Sequence, residues 1–159
     1  MKPSDLTRLV HAAFWSKDIV LWIGSDAELE KVVQGVNVAY LDVLDLTDGE
    51  FPLEDTERSR VISTRLQKRL EELDVSTSEK LVLIVRNVGI LSRHMISLNP
   101  FFELFGGVRR MAILSLRGES INLGVSQALS EQIVCEPDTI ANYLVSCLAD
   151  QHKVFRGNA

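Results

Sequence analysis

A chain of 159 residues, 46 % hydrophobic and 25 % charged, can bury one sizeable core. Its net charge of −5 excludes the dense basic surface that broad nucleic-acid binding needs. Cys135 and Cys147 are too few for a disulfide framework and sit in apolar settings, so buried free thiols are expected. The longest apolar runs fall short of the ~20 residues that cross a bilayer, and Met1 to Arg8 carries no apolar leader core, so a cytoplasmic protein without a membrane partner is expected.

In chain order, Ser4 can cap a first helix with Leu6, Leu9, Val10, Ala13 and Phe14 on one stripe. A strand is predicted from Asp18 to Gly24. Ser25 and Glu28 form a capping-box pair that opens a helix over about Asp26 to Gln34, stopped by Gly35. Val36 to Leu46 reads as a second strand, with Val36, Val38 and Tyr40 on one face and Ala39, Leu41 and Val43 on the other. After the turn Thr47-Asp48-Gly49 a long helix runs from Leu53 to Leu73, burying Ile62, Leu66, Leu70 and Leu73.

Leu81 to Arg86 is apolar on both faces, as a central parallel strand must be. Asn99-Pro100 starts a short helix closed by Gly106-Gly107, Met111 to Leu116 is a fourth strand, and Gln132 to Cys135 a fifth. Asp138 caps a last helix, and residues 153–159 are expected as a loose tail. Trp15 and Trp22 are expected in the core. The sum is a single α/β domain: an open, mainly parallel sheet of about five strands with helices on both faces.

Ligands of such sheets gather outside the carboxyl ends of the strands. The first candidate is the turn Gly24-Ser25, where helix amides could meet a phosphate. Asp26, Glu28 and Glu30 crowd that turn and Lys31 lies deeper in the helix, which favours plain capping. The second is a cationic group after the third strand, Arg86, Asn87, Arg93 and His94, suited to a phosphate or a carboxylate, against which a solvated loop with Asn87 bonded to its own backbone is favoured. Asp42, Asp45 and Asp48 suggest a magnesium site, but a phosphorylated receiver needs acids where Gly24 and Asn87 stand and a lysine where Glu136 stands. His11, His94 and His152 are scattered, so no metal ligand set is assigned. No nucleophile elbow or dinucleotide fingerprint occurs, and no catalytic residue is assigned.

Two features suit partners instead. Phe101, Phe102 and Phe105 on one short helix exceed what one buried face easily takes, so Phe101 or Phe102 is a candidate for exposure, although packing of all three beneath the sheet is favoured. Arg58, Arg65, Lys68 and Arg69 form a basic edge on the long helix.

Leu81-Val82-Leu83-Ile84-Val85-Arg86-Asn87-Val88-Gly89-Ile90-Leu91 and Arg109-Arg110-Met111-Ala112-Ile113-Leu114-Ser115-Leu116 resemble consecutive strands of P-loop NTPases in their smaller, AAA-like form. In pattern they are similar to the small P-loop proteins of bacteriophage-exclusion defence clusters. The resemblance implies ATP and magnesium as family ligands and a bacterial, antiviral multi-protein setting. Where the family has Lys-Ser/Thr this chain has Glu30-Lys31-Val32 or nothing, and where it has an acidic residue this chain has Arg86 or Asn87. The expectation is therefore a non-catalytic pseudo-NTPase that binds another protein subunit or itself and uses no cofactor. A divergent phosphate-dependent enzyme using Arg86, Arg93 and His94 is one alternative. A nucleic-acid adaptor using the basic edge is another.

Overall fold

The computed structural model describes residues 2–16, 18–49, 51–105, 107–116 and 153–157. The apolar runs become strands β1 (Ile19–Ile23), β2 (Val38–Asp42), β3 (Leu81–Arg86) and β4 (Arg110–Leu116), joined by β5 (Val154–Arg156). All pair in parallel in one sheet of order β2-β3-β4-β1-β5. The connection from β1 to β2 runs towards one edge, and those from β2 to β3 to β4 run back. Right-handed crossovers then put the intervening helices on opposite faces. Helices α1 (Pro3–Val10) and α2 (Asp26–Val32) cover one face, where Leu6, Val10, Leu29 and Val32 meet Val20, Trp22, Val82, Ile84, Met111 and Ile113. Helices α3 (Asp55–Asp74), α4 (Gly89–Arg93) and α5 (Asn99–Leu104) cover the other, against Ile19, Leu21, Leu83, Val85, Ala112 and Leu114. The period-2 alternation of every central strand thus feeds two separate cores, and the α/β architecture expected from the sequence is present as a single domain.

Several boundaries differ from the sequence reading, each for a local reason. Helix α1 begins after Lys2, whose amide donates to Asp5 Oδ2 at 3.0 Å. It ends at Val10, where the Trp15 indole Nε1 donates to the carbonyls of Leu9 and Val10 at 3.1 and 3.3 Å. Ala13 and Phe14 therefore leave the stripe, and Phe14 is 78 % exposed. Strand β2 stops at Asp42 because its carboxylate accepts the Leu44 amide at 2.9 Å and starts a 3-10 turn, Val43–Thr47. Helix α3 keeps its predicted buried side, with Ile62, Leu66 and Leu70 fully enclosed.

The predicted strand at Gln132 to Cys135, the helix after Asp138, and both cysteines lie outside the described residues. Within the expected loose tail, Val154–Arg156 instead forms the edge strand β5, paired Leu21 to Val154, Trp22 to Phe155 and Ile23 to Arg156. Among the described residues no helix is long and apolar enough to cross a membrane.

Candidate functional site: the carboxyl end of the sheet

The chain leaves β1 towards one face through α2 and leaves β3 towards the other through α4. The carboxyl ends of β1, β4 and β3 therefore bracket the crevice where open parallel sheets hold ligands. At the β1 end the backbone is tied to the strands on either side. The Gly24 amide donates to Leu116 O at 3.0 Å, and the Gly157 amide, just past β5, donates to Ile23 O at 2.8 Å. Trp22 is wholly buried and its Nε1 donates to Ser25 O at 3.2 Å. A Cβ on Gly24 would lie 2.9 Å from Trp22 Cζ2 and 3.1 Å from Gly157 Cα. Two glycine backbones and an indole therefore pack closely at the turn after β1.

The start of α2 is equally committed. Ser25 Oγ accepts the Glu28 amide at 3.2 Å, and Ser25 O accepts the Leu29 amide at 3.3 Å. The Glu28 carboxylate lies beside Gly157, its Oε1 2.9 Å from where a Cβ there would stand. With Asp26 and Glu28 in the first turn and Lys31 in the last, the helix presents negative charge to any anion.

The residues of the cationic candidate after β3 each have their own surroundings. Asn87 takes φ 59°, a left-handed conformation that asparagine tolerates better than most residues. Its Nδ2 donates to Asp42 Oδ1 at 2.5 Å. The Arg86 guanidinium lies over the Tyr40 ring at 4.6 Å, and its Nε has no hydrogen-bond partner among the described residues. Arg93 ends α4 exposed. His94 is buried, its backbone N donating to Ile90 O and its carbonyl accepting Ser59 Oγ at 3.2 Å. Arg86 and Asn87 thus belong to the β2–β3 end, Arg93 to solvent and His94 to the packing between α4 and α3.

Asp42, Asp45 and Asp48 do share that β2 end. Burial first, then the charges of Asp42 and Asp48, raise the Asp45 pKa above its usual value, against the pull of Arg69. Among the described residues no group of three or more histidines, cysteines or acids is placed to hold a metal ion.

The partner-surface candidates also resolve. Phe101 and Phe105 are fully buried and Phe102 is half-buried against the same core. The aromatic helix is a core element, as the favoured packing of all three rings has it, because its two-sided pattern is answered by α3 and the sheet. On α3, Arg58 Nε donates to Pro52 O at 2.7 Å and its guanidinium caps Phe51. Arg65 Nη1 donates to Leu46 O at 2.7 Å and Asp48 O at 3.0 Å. These two arginines pin the β2–α3 connection. Lys68 is exposed, and Arg69 pairs with Glu72 at 3.3 Å.

Sequence reasoning missed two buried charges. Arg110 Nε donates to Asp74 Oδ1 at 2.9 Å, Nη1 to Glu79 O at 2.5 Å and Arg109 O at 2.9 Å, and Nη2 to Asp74 O at 2.8 Å and to Thr77 O. Asp18 receives Lys153 Nζ at 2.6 Å. The available signal was a charge directly abutting an apolar strand in each case. Comparison with protein families, with curated proteins and with solved structures returns no match.

Proposed function

We propose that this domain is a non-catalytic, P-loop-like binding and assembly subunit. Its setting would be a bacterial multi-protein system of the phage-defence kind that the sequence resembles. The observation that carries the reading is the β1 turn. An open parallel sheet has its ligand end there, yet Gly24, Gly157 and Trp22 pack tightly at the turn and Asp26 and Glu28 give it the wrong charge for a phosphate. The β3 end adds support, since Asn87 is spent on Asp42 and Arg86 on Tyr40, leaving no carboxylate on β3 to organise magnesium. Dispersal of Arg86, Arg93 and His94 argues against the phosphate-dependent enzyme. Use of Arg58 and Arg65 on backbone carbonyls argues against the nucleic-acid adaptor.

The test is calorimetric titration with magnesium-ATP and with ADP. The reading expects no saturable heat at millimolar nucleotide; micromolar binding of either would overturn it and restore a nucleotide-dependent function.

A further inference from the structure

The amino end of the sheet, opposite the candidate site, carries two cations side by side. Lys80 and Arg109 stand one residue before Leu81 and Arg110, which are register partners on β3 and β4, so they are neighbours across strands spaced about 4.8 Å apart. Backbone carbonyls hold both in place. Lys80 Nζ donates to Ala12 O at 2.6 Å and lies 4.2 Å from the centre of the Trp15 ring. Arg109 Nη1 donates to Ser78 O at 3.0 Å. Among the described residues neither cation is paired with a carboxylate, and Arg109 Nε and Nη2 have no acceptor. The next residue, Arg110, shows the contrast, since its Nε meets Asp74 Oδ1 at 2.9 Å.

Both cations line one hollow of about 490 Å³, together with Ala13, Phe14, Glu79 and Val108. That volume is in the range of small-molecule sites. Phe14 is 78 % exposed and Val108 56 % exposed, so the hollow has an apolar wall that the protein's own core does not cover. Glu79 limits the charge the hollow accepts. Its Oε2 takes Asn37 Nδ2 at 3.3 Å, and two cations less one carboxylate leave a single net positive charge on the lining. A single anionic group matches that balance, whereas a phosphate or a polycarboxylate would meet Glu79 with surplus negative charge. The planar donors left on Arg109 have the shape of a carboxylate.

We infer that this hollow binds an organic monocarboxylate with an aromatic or branched apolar body, the body against Phe14 and Val108 and the carboxylate on Arg109 and Lys80. The anion relieves the repulsion between two adjacent like charges, and the body covers apolar side chains now open to water. The hollow and the turn after β1 lie at opposite ends of the sheet, so the inference does not depend on whether that turn binds nucleotide.

The experiment titrates the full-length protein with phenylacetate and, separately, with its uncharged analogue phenylacetamide, while backbone chemical shifts are followed. Saturable shifts centred on Phe14, Lys80 and Arg109 are expected, with a Kd on the order of 1 mM for so small a ligand. Phenylacetamide should bind at least about tenfold more weakly, and the signals of Gly24 and Gly157 should stay in place. Arg109→Gln, at an exposed position, should weaken phenylacetate about tenfold, and Phe14→Ser about threefold. Absence of saturable shifts up to about 20 mM phenylacetate, shifts centred elsewhere, or undiminished affinity in Arg109→Gln overturns the inference. So does equal affinity for the acid and the amide, a comparison that needs no variant to fold.

Discussion

Replacing Gly24 by alanine should destabilise the protein, and the structure gives the size of the effect. The new Cβ would sit 2.9 Å from Trp22 Cζ2 and 3.1 Å from both Trp22 Cε2 and Gly157 Cα. None of these atoms yields cheaply, because the indole is fully buried and tied through Nε1 to Ser25 O. Overpacking of this kind costs about 1–3 kcal/mol. Alanine returns about 0.4–1 kcal/mol by restricting the unfolded chain, which leaves a net loss of about 1–2 kcal/mol. For a domain of this length that lowers Tm by about 2–8 °C. Gly157→Ala is the built-in comparison: its nearest contact, 2.9 Å, is the movable Glu28 carboxylate, with Trp22 Cζ2 at 3.1 Å. Its net cost should stay within about 1 kcal/mol. Urea and thermal unfolding of both variants decide the matter. In a Trp22→Phe background, which removes Cζ2, the Gly24→Ala cost should shrink. A Gly24→Ala protein as stable as wild type, or a Gly157→Ala protein less stable than Gly24→Ala, would refute the packing argument.

Two further outcomes follow from buried and crowded charge. Arg110→Ala should cost about 3 kcal/mol in urea unfolding, since it strips donors from the carbonyls of Asp74, Thr77 and Glu79 around the α3–β3 turn. Asp74→Asn should cost under ~1 kcal/mol, because the Asp74 carboxylate is 46 % exposed and solvent screens the pair; equal costs would contradict the role given to the carbonyls. Asp45 binds its proton more tightly in the folded protein than in the unfolded chain, where 3.8 applies. Its contribution to stability therefore declines as pH rises from 3.8 through its raised folded value. Asp45→Asn should flatten that decline and leave the protein slightly more stable at neutral pH, as read from urea melts between about pH 4 and pH 7; a less stable variant at neutral pH would contradict the sign.

The central sheet was legible because β1, β3 and β4 are buried on both faces, and continuous apolar runs report that burial directly. The buried register of α3 was legible from the spacing of Ile62, Leu66 and Leu70. What escaped depends on single side chains meeting distant backbone. The premature end of β2 needs the Asp42 carboxylate to take Leu44's amide, and the short α1 needs Trp15 to cap it. Strand β5 has three residues, too few for any periodicity, and its place is set by Asp18, far away in sequence. At the candidate site the sequence showed the acidic first turn of α2 and the Arg86-Asn87 pair that ends β3. It could not show that Gly157 packs against Gly24, nor the left-handed turn at Asn87 and the burial of His94.

The claim on which the account rests is that the turn after β1 is closed by the protein's own backbone. Amide chemical shifts of Gly24, Ser25, Glu28 and Gly157, followed while magnesium-ATP is raised to millimolar concentration, test it directly. The account predicts that these four signals stay in place. Saturable shifts centred on them would contradict it.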